Sequence, residues 1–179
     1  MPRPEPSPLD PSAVKAYIDS PEAEAVAPGT KSEYDAGNNT AAASLLATPS
    51  VDVFSPCPSR RLLSFAASSG IFAKILAGRS SADLAIASIC EAAYIMVRRE
   101  DAELDLADPD HAAMVGALAA AAIISGDAGE ISPSSDAVAD GASDVAKICA
   151  LCSARVSRFE SIYGHAPTRA DLLKVRNAG

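Results

Sequence analysis

The chain has no tryptophan, and aromatic residues of all kinds make up only 4% of its 179 residues. β-Sandwiches and barrels draw much of their core from aromatic and β-branched side chains, so this scarcity argues against both folds. The hydrophobic fraction is nevertheless 49%, which leaves alanine, leucine, isoleucine and valine to build the core. Such a core favours closely packed helices, and the length suits one domain with appended segments.

Signatures of common catalytic and phosphate-binding sites are also missing from the sequence. It contains no glycine-rich phosphate loop, no GxSxG and no HExxH. Asp101, Glu103 and Asp105 alternate like the first ligands of an EF-hand loop, but Leu106 stands where that loop needs glycine and Ala112 where it needs glutamate. We therefore expect a protein that is not an enzyme and that binds no metal or other cofactor.

The N-terminus lacks the apolar stretch of a signal peptide, so we expect the four cysteines to be free thiols in a reducing compartment. Cys149 and Cys152 form a CxxC pair. A redox pair of this kind belongs at the start of a helix, and a structural zinc ion needs four ligands. Because the pair falls on the apolar seam of a predicted helix, we interpret both cysteines as core residues.

Positive charge is absent from residues 100–146, which contain eleven acidic residues and no lysine or arginine. The C-terminal segment is basic instead. The net charge of −8 argues against binding to nucleic acid through the whole surface. The two segments of opposite sign indicate either two solvated faces or attraction between neighbouring copies or protein partners. The candidate interface residues are Arg155, Arg158, Arg169, Lys174, Arg176, Asp101, Glu103 and Asp105.

The first part of the chain differs in composition from the rest. Ten of the thirteen prolines fall within residues 1–60, interleaved with small and acidic residues, and such a segment buries too little apolar surface to fold alone. We predict an extended, proline-rich N-terminal arm at residues 1–58 and a helical domain at residues 59–179. The expected fold class is all-α, a small alanine-rich bundle of about five helices.

Two consecutive buried helices form the centre of the predicted bundle. The first covers residues 82–99, with Ser81 as N-cap and Leu84 counted on its apolar face. The second starts with Asp108 as N-cap and Pro109 at the first helical position, and Gly126 ends it. Its apolar run reaches only about half of the roughly 20 residues that a membrane span requires. We predict no membrane span.

The C-terminal region carries a heptad-like pattern. Apolar residues from Val145 to Tyr163 alternate at spacings of four and three, which predicts one long helix beginning near Asp136 or Ser143. Thr168 with Asp171 three residues later predicts a capping box and a final short helix.

Two segments resemble small accessory proteins from the structural gene cluster of tailed bacteriophages. One is residues 97–126, where an acidic LDLADPDH leads into AAMVGALAAAAIISG, and the other is residues 157–179, SRFESIYGHAPTRADLLKVRNAG. The resemblance implies a virion-associated structural protein without catalysis.

The sequence therefore favours a non-enzymatic structural or assembly protein that acts in multiple copies, as a phage or viral particle component. Its expected partners are other copies of itself or other virion proteins, and its expected location is the virion, or the host cytoplasm during assembly. The alternative is a small helical adaptor or regulator that binds a protein or nucleic-acid partner through the C-terminal helices.

Overall fold

The computed structural model of the protein describes residues 9–178. These residues form the helices α1 (Pro11–Ile18), α2 (Pro21–Val26), α3 (Thr30–Asp35), α4 (Asn39–Leu46), α5 (Ser59–Ser68), α6 (Ile71–Gly78), α7 (Leu84–Arg98), α8 (Pro109–Ala120), α9 (Asp144–Leu151), α10 (Arg158–Tyr163) and α11 (Arg169–Ala178). They also form the strands β1 (Pro49–Phe54), β2 (Cys57–Pro58), β3 (Glu103–Leu104) and β4 (Ser153–Ser157), and a 3-10 turn at Ala128–Glu130.

The predicted all-α bundle of about five helices is wrong. The chain is 59% helical and 9% strand, with eleven helices in the described range and two small antiparallel sheets, so the fold is mixed. One sheet pairs β1 with β4, and the other pairs β2 with β3, placing Cys57 opposite Leu104 and Pro58 opposite Glu103. Strands of two to six residues are too short for their alternating pattern to stand out in a sequence.

The chain divides into two compact units. The terminal unit combines Met1–Val51 with Arg155–Gly179, and the central unit is Asp52–Ala154. Composition instead places the boundary after residue 58. The bounds differ because apolar residues from both chain ends share one core, and reading composition along the chain does not reveal such sharing.

The predicted extended arm is wrong for its described part, because α1 to α4 lie there. Pro11 and Pro21 stand at the start of α1 and α2, where a missing N–H leaves no hydrogen bond unmade. Asp10 and Ser20, the residues before them, cap these helices by accepting a backbone N–H. The prolines therefore begin helices here. Residues 1–8 of the predicted arm lie outside the described residues.

Aromatic rings organise the core of the terminal unit. Phe159 is fully buried, and its ring centroid lies 4.5 Å from that of Tyr163 and 6.3 Å from that of Tyr17. Ile18 from α1 and Leu172 from α11 pack into the same cluster. Because the N-terminal helices supply one part of this core and the C-terminal helices the other, neither end of the chain buries its apolar face alone.

Small aliphatic residues and thiols form the core of the central unit. Within it, α8 begins as predicted, with Asp108 as N-cap and Pro109 at the first position. α7 begins two residues later than predicted, because Asp83 rather than Ser81 caps it. The buried face of α7 carries Cys90, which lies in this core.

The predicted long helix ending at Tyr163 is wrong. α9 ends at Leu151, β4 follows, and α10 starts afresh where Ser157 Oγ accepts a hydrogen bond from the Glu160 amide at 3.0 Å. Pairing of β4 with β1 outweighs the modest helix preference of a segment that contains two serines and a valine. The heptad spacing thus spans three separate elements.

Between residues 9 and 178, no single helix is long and apolar enough to cross a membrane. α5 and α6 satisfy the length and composition criteria only together, as a pair bent by 94°. Leu62 and Ala66 of α5, and Ile71 and Ile75 of α6, are buried in the core of the central unit.

Candidate functional site

The acidic candidates lie along and beside β3 in the central unit. Glu103 is exposed, whereas Leu104 and Leu106 are buried, so the alternation that resembles a calcium loop is that of an extended chain with one buried face. Asp101 pairs with Arg99 (Nη2 to Oδ2, 3.4 Å), and this hydrogen bond lowers the pKa of the Asp101 carboxyl.

Asp105, the third acidic candidate, is half-buried. Its carboxylate accepts a hydrogen bond from the Ala107 amide at 3.0 Å, and its own amide donates to His111 Nδ1 at 3.1 Å. These bonds shape the turn that leads into α8. The three acidic candidates therefore differ in environment: Asp101 pairs with Arg99, Glu103 is exposed, and Asp105 shapes the turn.

Two of the basic candidates hold the terminal unit together. Arg158 Nε lies 2.6 Å from Glu22 Oε1. Arg176 donates to the backbone carbonyl of Tyr34 and, at 3.1 Å, to Asn39 Oδ1, and its guanidinium lies 4.6 Å from the Tyr34 ring centroid. Each arginine thus links a C-terminal helix to an N-terminal helix.

The other basic candidates are exposed. Arg169 and Lys174 lie on α11, and neither forms an ion pair with another described residue. Arg155 lies on β4 and, unlike a free surface residue, has an interaction partner within the protein. The structure consequently separates the eight candidates into two units, with the acidic residues in the central unit and the basic residues in the terminal unit.

The four thiols are free and buried in the central unit. Cys149 and Cys152 have different neighbours: Cys149 Sγ donates to the Glu130 carbonyl at 3.9 Å, whereas Cys152 hydrogen-bonds to Cys57. Cys57 Sγ in turn donates to the Pro58 carbonyl at 3.8 Å. The sequence gives no signal for the Cys57–Cys152 pair, because the two residues are far apart along the chain.

Hydrogen bonding distinguishes the two members of this pair. The side-chain hydrogen bond between the two thiols lowers the pKa of Cys57 and raises the pKa of Cys152. Burial raises the pKa of the Cys90 and Cys149 thiols. Each of the four is at most 2% exposed, and a reactive cysteine needs access to its substrate. Their arrangement is that of packed core residues.

An open cavity of about 630 Å³ lies in the central unit, between the start of α5 and the end of α7. Its charged lining residues are Arg60, Arg98 and Glu100, and its apolar ones include Leu63 and Val97. Two guanidinium groups in one cavity can bind a carboxylate or phosphate group. Nowhere in residues 9–178 do three or more histidine, cysteine or acidic side chains form a metal-binding group.

The most exposed large apolar side chain is on α7. Leu84 is 80% exposed, and Ile95, on the same helix, is 48% exposed. The prediction that Leu84 belongs to the buried face is wrong: at 100° per residue, Leu84 lies opposite Ala93, which is 2% exposed. Ile95, eleven residues from Leu84, lies on the same side of the helix as Leu84. Measuring this angle on the sequence would have revealed the exposed face.

No protein family, curated protein or solved structure matches this chain. The resemblance of residues 97–126 and 157–179 to phage accessory proteins therefore stays a prediction. The function has to be inferred from the surface and the chemistry of the chain itself.

Proposed function

We propose that the protein is a non-enzymatic structural protein that acts in multiple copies, as a component of a phage or viral particle. One observation carries the proposal. α7 exposes Leu84 and Ile95 on the same side, with fractional exposures of 80% and 48%.

Exposed large aliphatic side chains that share one helix face differ from the scattered apolar residues of an ordinary surface. Water disfavours such a face, and covering it with another protein surface releases about 25 cal/mol for each Å² of apolar area buried. Leu76 on α6 is also 41% exposed. Copies of the same chain, or other proteins of a particle, would supply the cover.

Mass in solution tests the proposal. We expect light scattering coupled to size exclusion to give a mass above the 18.2 kDa of one chain, rising with protein concentration. A mass of one chain across the whole range, from micromolar to millimolar and at low and high salt, would contradict assembly from a single component.

The viral part of the proposal is supported by the resemblance of residues 97–126 and 157–179 to phage accessory proteins. It has its own test. We expect peptides of this chain in purified tailed-phage particles from its source, analysed by mass spectrometry. Their absence from intact particles would contradict the viral part of the proposal. The proposal of a self-associating protein would still stand.

The adaptor hypothesis is favoured by a different surface, on the C-terminal helices. Ile162 on α10 is 45% exposed, and Arg169 and Lys174 on α11 are exposed. An adaptor using this surface would lose its partner when Arg169 and Lys174 are both changed to glutamate, whereas self-association through α7 would be unchanged. The double variant therefore distinguishes the two functions.

A further inference from the structure

The exposed face of α7, called here the α7 face, has a large aliphatic residue near each end, Leu84 and Ile95, and Ser88 and Glu91 in its middle. At 100° per residue, Glu91 lies about 20° and Ser88 about 40° from Leu84 around the helix, whereas the exposed Ala92 lies about 80° away, at the edge of the face. The small side chains of Ser88 and Ala92 allow a second helix to approach closely on that side, and the two aliphatic residues can then pack near either end.

The charges at the two ends of α7 are opposite. Asp83 caps the start of the helix, and its Oδ1 accepts hydrogen bonds from the Ala85 and Ile86 amides at 2.8 and 3.4 Å. Arg98 lies in the last turn, beside the cavity that it lines with Arg60. The helix that carries the α7 face therefore has an acidic side chain at its start and a basic one near its end.

The middle of the α7 face is nearly neutral. Glu91, in the middle of this face, pairs with Arg79 of the same chain (Oε2 to Nε, 2.5 Å), and this guanidinium also lies 3.9 Å from the Tyr94 ring centroid. Because the Glu91 charge is balanced within its own chain, a second helix can cover this region without leaving that carboxylate unpaired.

We propose that the α7 face binds the α7 face of a second copy of this chain, with the two helices antiparallel and related by a two-fold axis. This inference rests on the proposed function in multiple copies and specifies the surface through which two copies meet. In this arrangement Leu84 of each copy packs against Ile95 of the other, as the reciprocal contacts of a two-fold interface require.

Charge selects the antiparallel orientation. With Leu84 opposite Ile95, Asp83 of one copy stands about two residues, or ~3 Å along the axis, from Arg98 of the other. A parallel pair would instead place Asp83 against Asp83 and Arg98 against Arg98, and both contacts are repulsive.

Substitution of one exposed isoleucine tests the surface, and the chain contains a matched control. Ile95→Asp should weaken self-association by roughly tenfold or more, as loss of a large apolar anchor does. Ile162, which is 45% exposed against 48% for Ile95, lies on α10 in the other unit. Ile162→Asp should leave the dissociation constant within about twofold, measured by sedimentation velocity.

Cross-linking between singly substituted chains tests the orientation. A mixture of Leu84→Cys and Ile95→Cys chains, treated with a short bis-maleimide, should give a covalent dimer, whereas each variant alone should give none. The wild-type chain, whose four thiols are buried, provides the background. Efficient cross-linking of Leu84→Cys alone would overturn the antiparallel arrangement in favour of a parallel one.

The outcomes also separate this inference from the proposed function. An oligomer that persists in Ile95→Asp, and that gives no cross-link in the mixture, would overturn the α7 interface while leaving assembly in multiple copies intact. A wild-type chain that stays a monomer at every concentration would overturn both. Circular dichroism of each variant shows whether the fold is retained, so that a loss of association is assigned to the surface.

Discussion

The two units reach stability with different materials. The terminal unit buries Tyr17, Tyr34 and Phe159, each no more than 8% exposed. In the central unit the aromatic rings, such as those of Phe72 and Tyr94, lie only partly buried at the edge of a core of alanine, leucine, isoleucine, valine and cysteine. The expectation of an aliphatic core, drawn from the whole composition, thus describes the central unit but omits the aromatic rings that the terminal unit buries among its aliphatic residues.

An average composition therefore does not show how the few aromatic residues are distributed between the two units. The terminal unit has short helices of six to ten residues, and such helices are unstable alone, so large rings that contact several helices at once are effective there. The central unit has longer helices in α7 and α8, which pack closely through small residues.

The clearest test replaces one aromatic residue in each unit with alanine. Phe159→Ala should lower the free energy of unfolding by about 3–5 kcal/mol, because the ring is fully buried among helices from both chain ends. Phe72→Ala, in the central unit, should cost less than about 2 kcal/mol, since that ring is only partly buried. Equal losses of the free energy of unfolding for the two variants, measured by urea denaturation, would show that the two cores do not differ in their dependence on aromatic rings.

Close packing in the central unit predicts intolerance of a single added methyl group. A Cβ at Gly78, the last residue of α6, would overlap with Cys90 Sγ, so Gly78→Ala should lower the free energy of unfolding by about 1–3 kcal/mol. Adding Cys90→Ala removes the overlapping sulfur and should recover most of that loss. Purely additive effects in this double-mutant cycle would show that the two sites do not press on each other.

Polar links between chain ends belong to the terminal unit. Arg176→Ala removes hydrogen bonds to Tyr34 and Asn39 and the stacking on the Tyr34 ring, and should cost about 1–2 kcal/mol. Lys174→Ala, two residues earlier on α11 and exposed, should change stability by less than ~0.5 kcal/mol. Thermal unfolding of the two variants measures both losses of stability. A larger loss for Lys174→Ala than for Arg176→Ala would contradict the stabilising role of Arg176.

Local signals in the sequence located several helix starts correctly. Asp108 with Pro109 begins α8, and Thr168 with Asp171 forms the predicted capping box: Thr168 Oγ1 accepts from the Asp171 amide, and Asp171 Oδ2 accepts from the Thr168 amide. These succeeded because caps depend on residues within three positions of one another. Pro11 contributed to the wrong prediction of an extended arm. Whether a proline begins a helix depends on the residue before it, and a count of prolines ignores that residue.

Such local signals could not predict contacts between segments that are distant along the chain. The pairing of β1 with β4 interrupts the heptad pattern, and the Cys57–Cys152 contact joins residues that no spacing rule relates. The exposed position of Leu84 was available from helix geometry, but a count of apolar residues treats every leucine as a core residue. Helix geometry alone could therefore have located the candidate interaction surface, whereas the extent to which Leu84 and Ile95 are exposed comes from the fold.

The capping box also predicts a pH dependence in the terminal unit. Burial raises the pKa of Asp171, but hydrogen bonds from Thr168 and the nearby His165 more than compensate, so its pKa is lowered in the fold. The associated stability is present above the unfolded pKa of about 3.9 and is lost as the pH falls through the lower folded pKa. Asp171→Asn should cost about 1 kcal/mol at pH 7.

The difference between wild type and Asp171→Asn should shrink toward zero as the pH falls through the lowered folded pKa of Asp171, measured by urea denaturation at each pH. Asp140→Asn, in an exposed segment of the central unit, provides the control and should show no such trend. A difference that stays constant with pH would assign the effect of Asp171→Asn to packing rather than to charge.

Charge reversal at Arg158 tests whether this residue binds only within its own unit or also contacts a neighbouring copy. Arg158 and Glu22 are both partly exposed, and such an ion pair contributes about 0–1 kcal/mol. Arg158→Glu should lose that amount, and adding Glu22→Arg should restore it by reversing the pair. We expect the swapped variant to self-associate like wild type at low and high salt, because the α7 face lies elsewhere. If the swapped variant instead has normal stability but associates more weakly at low salt, Arg158 faces a partner, and attraction between the oppositely charged segments contributes to assembly alongside α7.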